Sequence, residues 1–336
     1  MCHEAMLWEP ATGGRVICGL CAHRCNIPKG EFGFCGMREN TGDRLYTRAY
    51  GRVIADNVDP IEKKPLYHFL PGTYAYSIAT FGCNFRCSFC QNWTISQVSA
   101  KDSPSAGREM SPEKIVEEAA ENNCKSISYT YTEPTVFFEY AYDTSVIAKE
   151  RGLYNTFVTN GFMTAEAVEK ISPYLDAANV DLKFFKDDQY RKVCGGRLQP
   201  VLDSIGKMKE KGIWIEVTTL VIPGENDSEE ELSGMAEFLA GVDKGMPWHI
   251  SRFHPDYRYT DSVPTPLDTM KKAADIGKKA GLEYVYLGNV SDGGETFCPA
   301  CGRVMVKRSG SGVEVTKDLK DGKCAGCGTE IGGVWE

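Results

Sequence analysis

The stretch Tyr76-Ser77-Ile78-Ala79-Thr80-Phe81-Gly82-Cys83-Asn84-Phe85-Arg86-Cys87-Ser88-Phe89-Cys90 joins an apolar run to three closely spaced cysteines. The run at 76–80 predicts a buried strand, and the cysteines follow it directly in a CxxxCxxC pattern. Three thiolates on one short loop suit an iron–sulfur cluster. Because a cubane cluster has four irons, three protein ligands leave one iron open to another molecule, as in an open catalytic metal site.

Strand-like and helix-like segments alternate through the middle of the chain. The predicted strands occupy 76–80, 126–132, 154–159, 177–184, 213–222, 247–253 and 283–288. Such alternation implies parallel strands joined by right-handed crossovers. We therefore predict an α/β fold with a partial or full (β/α) barrel, whose chemistry collects on loops after the carboxyl ends of the strands. The three-cysteine loop belongs to that face.

Helix-terminus signals fit between these strands. Ser111-Pro112 predicts a helix start with proline at its first position. Ser228 with Glu231 three residues later is a capping box. A third helix over about 266–280 is predicted to end at Gly281, a typical C-cap glycine.

Three domains are predicted from these patterns. Residues 1–72 form a cysteine-rich, metal-binding extension that ends at Leu70-Pro71-Gly72. Residues 73–290 form the barrel, and residues 291–336 form a small tail rich in glycine and lysine.

Composition narrows the class of protein. The chain has 336 residues, 42% of them hydrophobic, and a formal charge of −8, which argues against a broad face for binding nucleic-acid duplexes. No apolar stretch reaches the roughly 20 residues that span a bilayer. The N-terminus lacks the layout of a signal peptide, so we expect a cytoplasmic protein.

Eleven of the 14 cysteines fall into three clusters, which in a cytoplasmic protein read as metal ligands rather than disulfides. The first cluster is Cys18, Cys21, Cys25 and Cys35. Four cysteines in so short a stretch can close a tetrahedral zinc site, which we favour, or hold a second iron–sulfur cluster. The choice stays open at this point.

The tail carries two CxxC pairs, each followed by glycine. They are Cys298, Cys301, Cys324 and Cys327, with 22 residues between the pairs. The intervening stretch 303–316 alternates like a hairpin. This is a zinc-ribbon pattern and predicts a structural zinc ion that folds a segment with no core of its own.

The CxxxCxxC loop, with Phe89 before its third cysteine, resembles the signature of the radical S-adenosylmethionine (SAM) superfamily. The resemblance implies that Cys83, Cys87 and Cys90 hold a [4Fe-4S] cluster. It also implies that SAM chelates the open iron and is reductively cleaved to methionine and a 5′-deoxyadenosyl radical. The residues that would then lie near SAM are Phe89, Thr132, Glu133, Asn160, Asp181 and Lys183.

Several of these residues follow strands whose sequences resemble the pyruvate formate-lyase activating enzymes. Asp181 and Lys183 match an Asp-x-Lys segment that approaches the SAM ribose and carboxylate in that group, although a structural ion pair is the alternative. Thr132 and Glu133 match less well, because the glycines of the usual segment are missing.

The sixth predicted strand carries His249, Arg252 and His254 close together. A lone histidine is more often a packing residue, but a group at a strand end in a barrel points toward function. We therefore count His249 among the predicted cofactor-binding residues. No catalytic residue is assigned.

Residues 1–290 resemble a narrower group, the radical SAM enzymes of the AmmeMemoRadiSam system, which are related to glycyl-radical-enzyme activases. The strings that carry this resemblance are Glu4-Ala5-Met6-Leu7-Trp8, Cys18-Gly19-Leu20-Cys21-Ala22-His23-Arg24-Cys25, Asn57-Val58-Asp59-Pro60-Ile61-Glu62-Lys63-Lys64-Pro65-Leu66-Tyr67-His68-Phe69 and Cys90-Gln91-Asn92-Trp93. The group's name implies AMMECR and Memo proteins as partners. An anaerobic setting with a ferredoxin or flavodoxin as electron donor is expected.

The function expected from the sequence is therefore radical SAM chemistry on an unidentified substrate, such as modification or alkylation of a small molecule or nucleobase. One alternative is activation of a glycyl radical enzyme. Others are an RNA-modifying radical enzyme, with the tail reading RNA, and a metal-binding interaction module without catalysis.

Overall fold

The computed structural model describes residues 3–42, 44–103, 107–290, 294–309 and 312–336. The N-terminal part consists of short strands. They are β1 (His3–Glu4), β2 (Trp8–Ala11), β3 (Arg15–Cys18), β4 (Asn26–Ile27), β5 (Arg38–Asn40), β6 (Leu45–Thr47) and β7 (Arg52–Val53). They form two small antiparallel sheets in the orders β1-β6-β5 and β2-β3-β4. These sheets bring the first cysteine cluster together, because β3 and β4 flank three of its members.

An eight-stranded sheet forms the centre of the molecule. The strands in this part of the chain are β8 (Ala55–Pro60), β9 (Tyr74–Ala79), β10 (Arg108–Glu109), β11 (Ser126–Tyr129), β12 (Tyr154–Thr159), β13 (Ala177–Asp181), β14 (Trp214–Val221), β15 (Trp248–Arg252) and β16 (Val285–Gly288). The order in the sheet is β16-β15-β14-β13-β12-β11-β9-β8, and β10 pairs with β7 instead. The seven predicted strands are confirmed, and they run parallel in sequence order.

One strand of this sheet was not predicted. The strand β8 pairs antiparallel with β9, with Ala55 opposite Ala79. It contains Asn57, Asp59 and Pro60, which are depleted in strands, so its sequence gives a weak strand signal. Within the described residues β8 and β16 form the two edges of the sheet, so the fold is an open α/β sheet, the partial form of the predicted barrel.

Helices fill the connections. They are α1 (Trp93–Ser96), α2 (Pro112–Glu121), α3 (Phe138–Glu150), α4 (Ala165–Ile171), α5 (Asp187–Gln189), α6 (Leu198–Glu210), α7 (Glu229–Val242) and α8 (Leu267–Lys279). The side chain of Ser111 caps α2 by accepting the Lys114 N–H at 3.3 Å, and Ser228 caps α7 by accepting the Glu231 N–H at 3.2 Å. Both predicted helix starts are confirmed.

The core lies between the sheet and these helices. Phe157, Val180, Val217 and Ile250, on four neighbouring strands, are fully buried. Burying one such side chain contributes about 1.5–3 kcal/mol. The rigid sheet fixes the positions of the loops that follow its strands.

The segment 61–70 packs against the amino-terminal halves of the central strands. The Glu216 carboxylate in β14 accepts the backbone N–H groups of Tyr67 at 2.9 Å and His68 at 2.7 Å. This segment also brings Lys64 toward the other end of the sheet, where the cysteine loop lies.

The tail adds β17 (Thr296–Phe297), β18 (Val304–Ser309), β19 (Gly312–Val315), β20 (Leu319–Lys320) and β21 (Lys323–Cys324). The strands β18 and β19 pair antiparallel, as the hairpin pattern predicts. Met305 and Val306 pack with Tyr284 and Tyr286 in a second apolar cluster.

The last residues of the chain dock on the segment 68–70. Leu70 donates its N–H to the Val334 carbonyl, and Val334 donates to the His68 carbonyl, both at 2.7 Å. A Cβ at Gly333 would lie 2.6 Å from the His68 carbonyl oxygen, so this close approach requires glycine. The predicted boundaries of the three domains remain predictions.

In the described part of the chain, no helix is both long enough and apolar enough to cross a membrane.

Candidate active site

A cavity of about 390 Å³ lies beyond the carboxyl ends of the central strands, the end at which α/β sheets bind their ligands. Its volume is within the range of small-molecule sites. The predicted site residues in its lining are Cys83, Cys87, Phe89, Cys90, Thr132, Glu133, Asn160, Asp181 and Lys183. The structure therefore brings together residues that are up to 100 positions apart in sequence (183 − 83 = 100).

The three-cysteine loop starts directly after β9. Cys83 and Cys87 are buried and Cys90 is half-buried. The Phe85 N–H points at the Cys83 sulfur, with the nitrogen and the sulfur 3.3 Å apart, and the Ser96 hydroxyl oxygen lies 3.2 Å from the Cys90 sulfur. Hydrogen bonds of this kind stabilise thiolates and tune a bound cluster.

A π-helical turn at Tyr190–Cys194 supports the loop from the side. Its carbonyls at Cys194 and Val193 accept the backbone N–H groups of Arg86 at 2.7 Å and Ser88 at 3.1 Å. π-Helical turns are rare and occur often at functional sites. The sequence left Cys194 without a role, and no motif could have assigned one.

The Cys194 thiol also contacts Cys87. A hydrogen bond in which the Cys87 thiol donates to Cys194, together with burial, raises the pKa of Cys87 well above its ordinary value. Burial does the same for Cys83. Thiolates in such surroundings need nearby cations, and metal ions supply them.

Glu133 is buried in the loop that follows β11, and it organises that loop. Its Oε1 accepts the Thr135 N–H, the Thr135 hydroxyl and the Thr159 hydroxyl at 3.0, 2.6 and 2.7 Å. Its Oε2 accepts the Asn160 N–H at 2.8 Å. Burial raises the pKa of the Glu133 carboxyl above its usual value, although these hydrogen bonds favour the ionised form.

Asn160 directly follows β12 and connects the end of that strand to the cysteine loop. Its Nδ2 donates to the Asn84 Oδ1 at 2.7 Å and lies 3.8 Å from the Cys83 sulfur. Thr132 is bound to the end of β9, because its hydroxyl donates to the carbonyl of Thr80 at 2.8 Å. Both predicted residues thus hold strand ends together around the cavity.

Asp181 and Lys183 form an ion pair, with the Lys183 Nζ 2.9 Å from the Asp181 Oδ2. Burial disfavours the charged form of Lys183, but Asp181 and the nearby thiols outweigh it, so its pKa lies well above the usual value. The ammonium lies 5.7 Å from the centroid of the buried Phe89 ring. A fixed cation on the cavity wall can bind an anionic group.

His249 does not line the cavity, unlike the other predicted cofactor-binding residues. Its Nε2 lies 2.6 Å from the Glu216 Oε2, and its ring packs on Tyr67 and Tyr286. Ser251, two residues further along β15, does line the cavity. Ser251 is nearer than His249 to the carboxyl end of β15, where the cavity lies. His249 therefore lies deeper in the molecule, further from the cavity. In this position His249 is a packing residue that is hydrogen-bonded to Glu216.

Arg252 and His254 do not join His249 either. The Arg252 Nε donates to the Thr265 carbonyl at 2.8 Å, and His254 is exposed.

Lys64 is a cavity residue that sequence reasoning missed. It is 2% exposed, and its ammonium lies 2.6 Å from the Asp59 Oδ2 and 4.5 Å from the Tyr131 ring centroid. The Tyr131 hydroxyl donates to the same carboxylate. Burial lowers the pKa of Lys64 to about 8. In the sequence, Lys64 is marked only by its place in the stretch 57–69, which carries the resemblance to the AmmeMemoRadiSam group.

The N-terminal cysteines Cys18, Cys21, Cys25 and Cys35 line a smaller cavity together with Asn84. The buried Arg38 donates from Nη1 to the Cys18 sulfur at 3.2 Å and pairs with the Glu139 carboxylate. All four predicted residues are therefore brought together next to the cysteine loop.

The tail cysteines form a tighter group. The Cys298 and Cys327 sulfurs are 3.5 Å apart, and those of Cys301 and Cys324 are 3.6 Å apart. All four sulfurs lie within 4.8 Å of one another. Four thiol ligands at such distances could surround one metal ion.

Comparison with known proteins identifies the family of this chain. The family model of the radical SAM superfamily matches residues 77–236, which include the cysteine loop and most of the cavity lining. The chain belongs to the radical SAM superfamily, and it is an enzyme of that type.

The curated relatives match different shares of the chain. The uncharacterized protein MJ0808 of Methanocaldococcus jannaschii is 45% identical over 332 residues, which cover 98% of each chain. The pyruvate formate-lyase-activating enzyme of Clostridium pasteurianum is 21% identical over 57% of this chain and 84% of that enzyme.

The fold has solved counterparts. The crystal structure of Streptococcus suis SuiB bound to S-adenosylmethionine matches with a TM-score of 0.50 and 14% sequence identity. The match covers 68% of this chain and 53% of SuiB, so this chain spans about half of SuiB's length. A likeness at this level concerns the fold alone.

Proposed function

We propose that this enzyme binds SAM in the cavity described above and cleaves it reductively, using a [4Fe-4S] cluster held by Cys83, Cys87 and Cys90. The observation that carries the proposal is the convergence of these thiols with a fixed ion pair in one cavity at the carboxyl ends of the strands. When bound, the cluster supplies the electron that releases methionine and a 5′-deoxyadenosyl radical. The radical then reacts with a small molecule or nucleobase, which is modified or alkylated.

The residues around the cavity have separate tasks in this proposal. Lys183, oriented by Asp181, binds the SAM carboxylate, and Asp181 approaches the ribose. Phe89 packs against SAM from the loop. Thr132, Glu133 and Asn160 fix the strand ends that face the amino group, because their side chains bond to the backbone or side chains of neighbouring strands.

Anaerobic reconstitution with iron and sulfide tests the proposal. We expect reductant-driven formation of 5′-deoxyadenosine from SAM, measured by mass spectrometry. Cys87→Ala should abolish it, whereas Cys124→Ala, at a buried cysteine outside the three clusters, should not. Absence of SAM cleavage by fully loaded protein would overturn the proposal.

A second candidate function is activation of a glycyl radical enzyme by hydrogen abstraction from its backbone. The similarity to the Clostridium pasteurianum activating enzyme supports this candidate. Its test is incubation with a candidate glycyl radical enzyme, SAM and reductant. A persistent glycyl radical in the electron paramagnetic resonance (EPR) spectrum supports it, and substrate modification without that signal favours the first candidate.

The accessory metal site in the tail belongs to the same proposal. Cys298, Cys301, Cys324 and Cys327 hold one zinc ion and make 291–336 a zinc-ribbon-like domain beside the barrel domain 73–290 and the extension 1–72. The sulfur spacing supports this assignment, because a tetrahedral Zn–S distance of about 2.3 Å sets sulfurs roughly 3.8 Å apart.

Partners and compartment follow from the chemistry. A low-potential ferredoxin or flavodoxin in an anaerobic cytoplasm supplies the electron. The resemblance to the AmmeMemoRadiSam group makes AMMECR and Memo proteins the partners to test by co-purification.

A further inference from the structure

The three cysteine groups differ in how far apart their sulfurs lie. In the described ranges, the tail cysteines are the only group of three or more metal-binding side chains whose ligand atoms all lie within 4.8 Å of one another. The loop cysteines Cys83, Cys87 and Cys90 are spread more widely. Each cysteine that binds a cubane cluster is a ligand of a different iron at a corner of the cube. The cysteine sulfurs around a cluster therefore lie farther apart than cysteine sulfurs around a single metal ion.

The N-terminal cysteines share the wide spacing of the cluster loop, not the tight spacing of the tail. All four lie in the described residues and line one cavity, yet no three of them meet the 4.8 Å limit. From this contrast within one molecule, we infer that Cys18, Cys21, Cys25 and Cys35 hold a second [4Fe-4S] cluster rather than zinc. This inference differs from the zinc ion that their sequence spacing favours.

Hydrogen-bond donors around this cavity fit a cluster. The Phe34 N–H points at the Cys25 sulfur with a nitrogen–sulfur distance of 3.4 Å, and Arg38 donates to Cys18. The Nδ2 of Asn84 is buried and has no hydrogen-bond partner among the described residues, although Asn84 lines the cavity. Cluster sulfurs accept such donors, and these bonds help to set the reduction potential.

The two cysteine sites touch through the residues next to their ligands. Gly82, with φ of +90°, precedes Cys83, and a Cβ there would lie 3.2 Å from the Cys35 carbonyl oxygen and 2.5 Å from the Met37 Cγ. Only glycine permits this approach. The His23 Nε2 also lies 2.7 Å from the carbonyl oxygen of Asn84, the residue after Cys83.

This placement gives the second cluster a role, which rests on the proposed function. One electron passes from the reduced N-terminal cluster to the oxidised cluster at Cys83, where it is used to cleave SAM. No bond or proton changes place in this step. A low-potential one-electron donor protein of the ferredoxin or flavodoxin class then reduces the N-terminal cluster again.

Metal counting on the full chain tests the inference. After anaerobic reconstitution we expect about eight irons and one zinc per chain, with four irons for each cluster. Two multiple variants separate the sites. They are Cys83→Ala with Cys87→Ala and Cys90→Ala, and Cys18→Ala with Cys21→Ala, Cys25→Ala and Cys35→Ala. Each variant should lose half of the iron, keep the zinc and show the EPR signal of the remaining reduced cluster.

The outcomes distinguish the two proposals. If the loop variant keeps no iron and the intact chain holds a second zinc, the second cluster is refuted and the proposed function stands. If the N-terminal variant keeps no iron while the loop variant keeps all of it, the loop cluster is refuted instead. The loop variant leaves the N-terminal site untouched, so misfolding of the N-terminal variant does not prevent a decision.

The electron step has its own readout. In the N-terminal variant, dithionite should still reduce the loop cluster, which also shows that the protein is folded. Reduction by a flavodoxin should be lost, as followed by freeze-quench EPR. Unchanged reduction by flavodoxin would overturn the relay and leave the second cluster without that role.

Discussion

The Lys183 ammonium lies 2.9 Å from the Asp181 carboxylate, and both side chains belong to the wall of the cavity that contains the cysteine loop. A cation held in place in this way can bind an anionic ligand without first losing its own conformational freedom.

Lys183→Met is therefore expected to weaken SAM binding. The change keeps an unbranched apolar side chain and removes a charge-assisted bond of about 1.5–3 kcal/mol, which corresponds to a roughly ten- to hundredfold higher Kd. Titration calorimetry on the reconstituted protein measures it. Lys186→Ala removes an exposed lysine paired with Glu230 and should leave Kd unchanged. Equal affinity of wild type and Lys183→Met would contradict the assignment.

Glu133→Gln is expected to destabilise the protein. One carboxylate oxygen would be replaced by an NH₂ group that faces a donor such as the Asn160 N–H, at a cost of about 1–3 kcal/mol. Urea denaturation measures the free energy of unfolding. The matched control is Glu237→Gln on the exposed face of α7, for which no loss is expected. A loss of the same size in both variants would show that Glu133 has no such role.

Stability should fall as the pH drops below 6.5, because His68 is buried. The Nδ1 atom of His68 lies 2.7 Å from the Gly332 carbonyl oxygen, and the Nε2 atom lies 2.6 Å from the Tyr286 hydroxyl oxygen. Burial lowers the pKa of His68 from 6.5 to about 4. Between these values the unfolded chain binds more protons than the folded one, so the free energy of unfolding rises with pH. The contribution is complete about one pH unit above 6.5 and is lost toward pH 4.

The comparison of wild type with His68→Gln isolates this effect. Glutamine keeps a donor and an acceptor but does not titrate. Between pH 6.5 and pH 5 the wild type should lose about 1.6 kcal/mol more than the variant, as measured by urea denaturation. Parallel pH profiles for the two proteins would exclude His68 as the titrating group.

Cys301→Ser combined with Cys327→Ser is expected to release one zinc per chain and to open the tail. These two thiols are exposed, so the change removes metal ligands without leaving a cavity in the core. Hydrogen exchange should rise at Met305 and Val306 and stay low in the central strands. Cys124→Ser is the control, and retention of zinc by the double variant would remove the tail site from the proposal.

Much of the fold could be predicted because its signals are local. The parallel strands are apolar runs, and the helices have sequence-encoded caps at Ser111 and Ser228. The strand β8 could not be predicted, because the pairing of Ala55 with Ala79 decides it rather than strand propensity. Contacts made by distant parts of the chain are not written in local periodicity.

The site divides in the same way. The cysteines and the Asp-x-Lys pair have spacing that can be read directly. The position of His249 depends on its contact with Glu216 on the neighbouring strand β14. The position of Lys64 depends on how the segment 61–70 packs on the sheet. Both positions are decided by tertiary contacts, which local sequence patterns do not encode.

The pairing of Val334 with Leu70 links the tail to the cavity. Val334 holds residues 68–70, and the same segment 61–70 carries Lys64, which lines the cavity. Two ligands that favour one arrangement of a shared segment have a coupling free energy, and that coupling is reciprocal. Whatever factor zinc in the tail applies to binding in the cavity, occupation of the cavity must therefore apply the same factor to zinc binding in the tail.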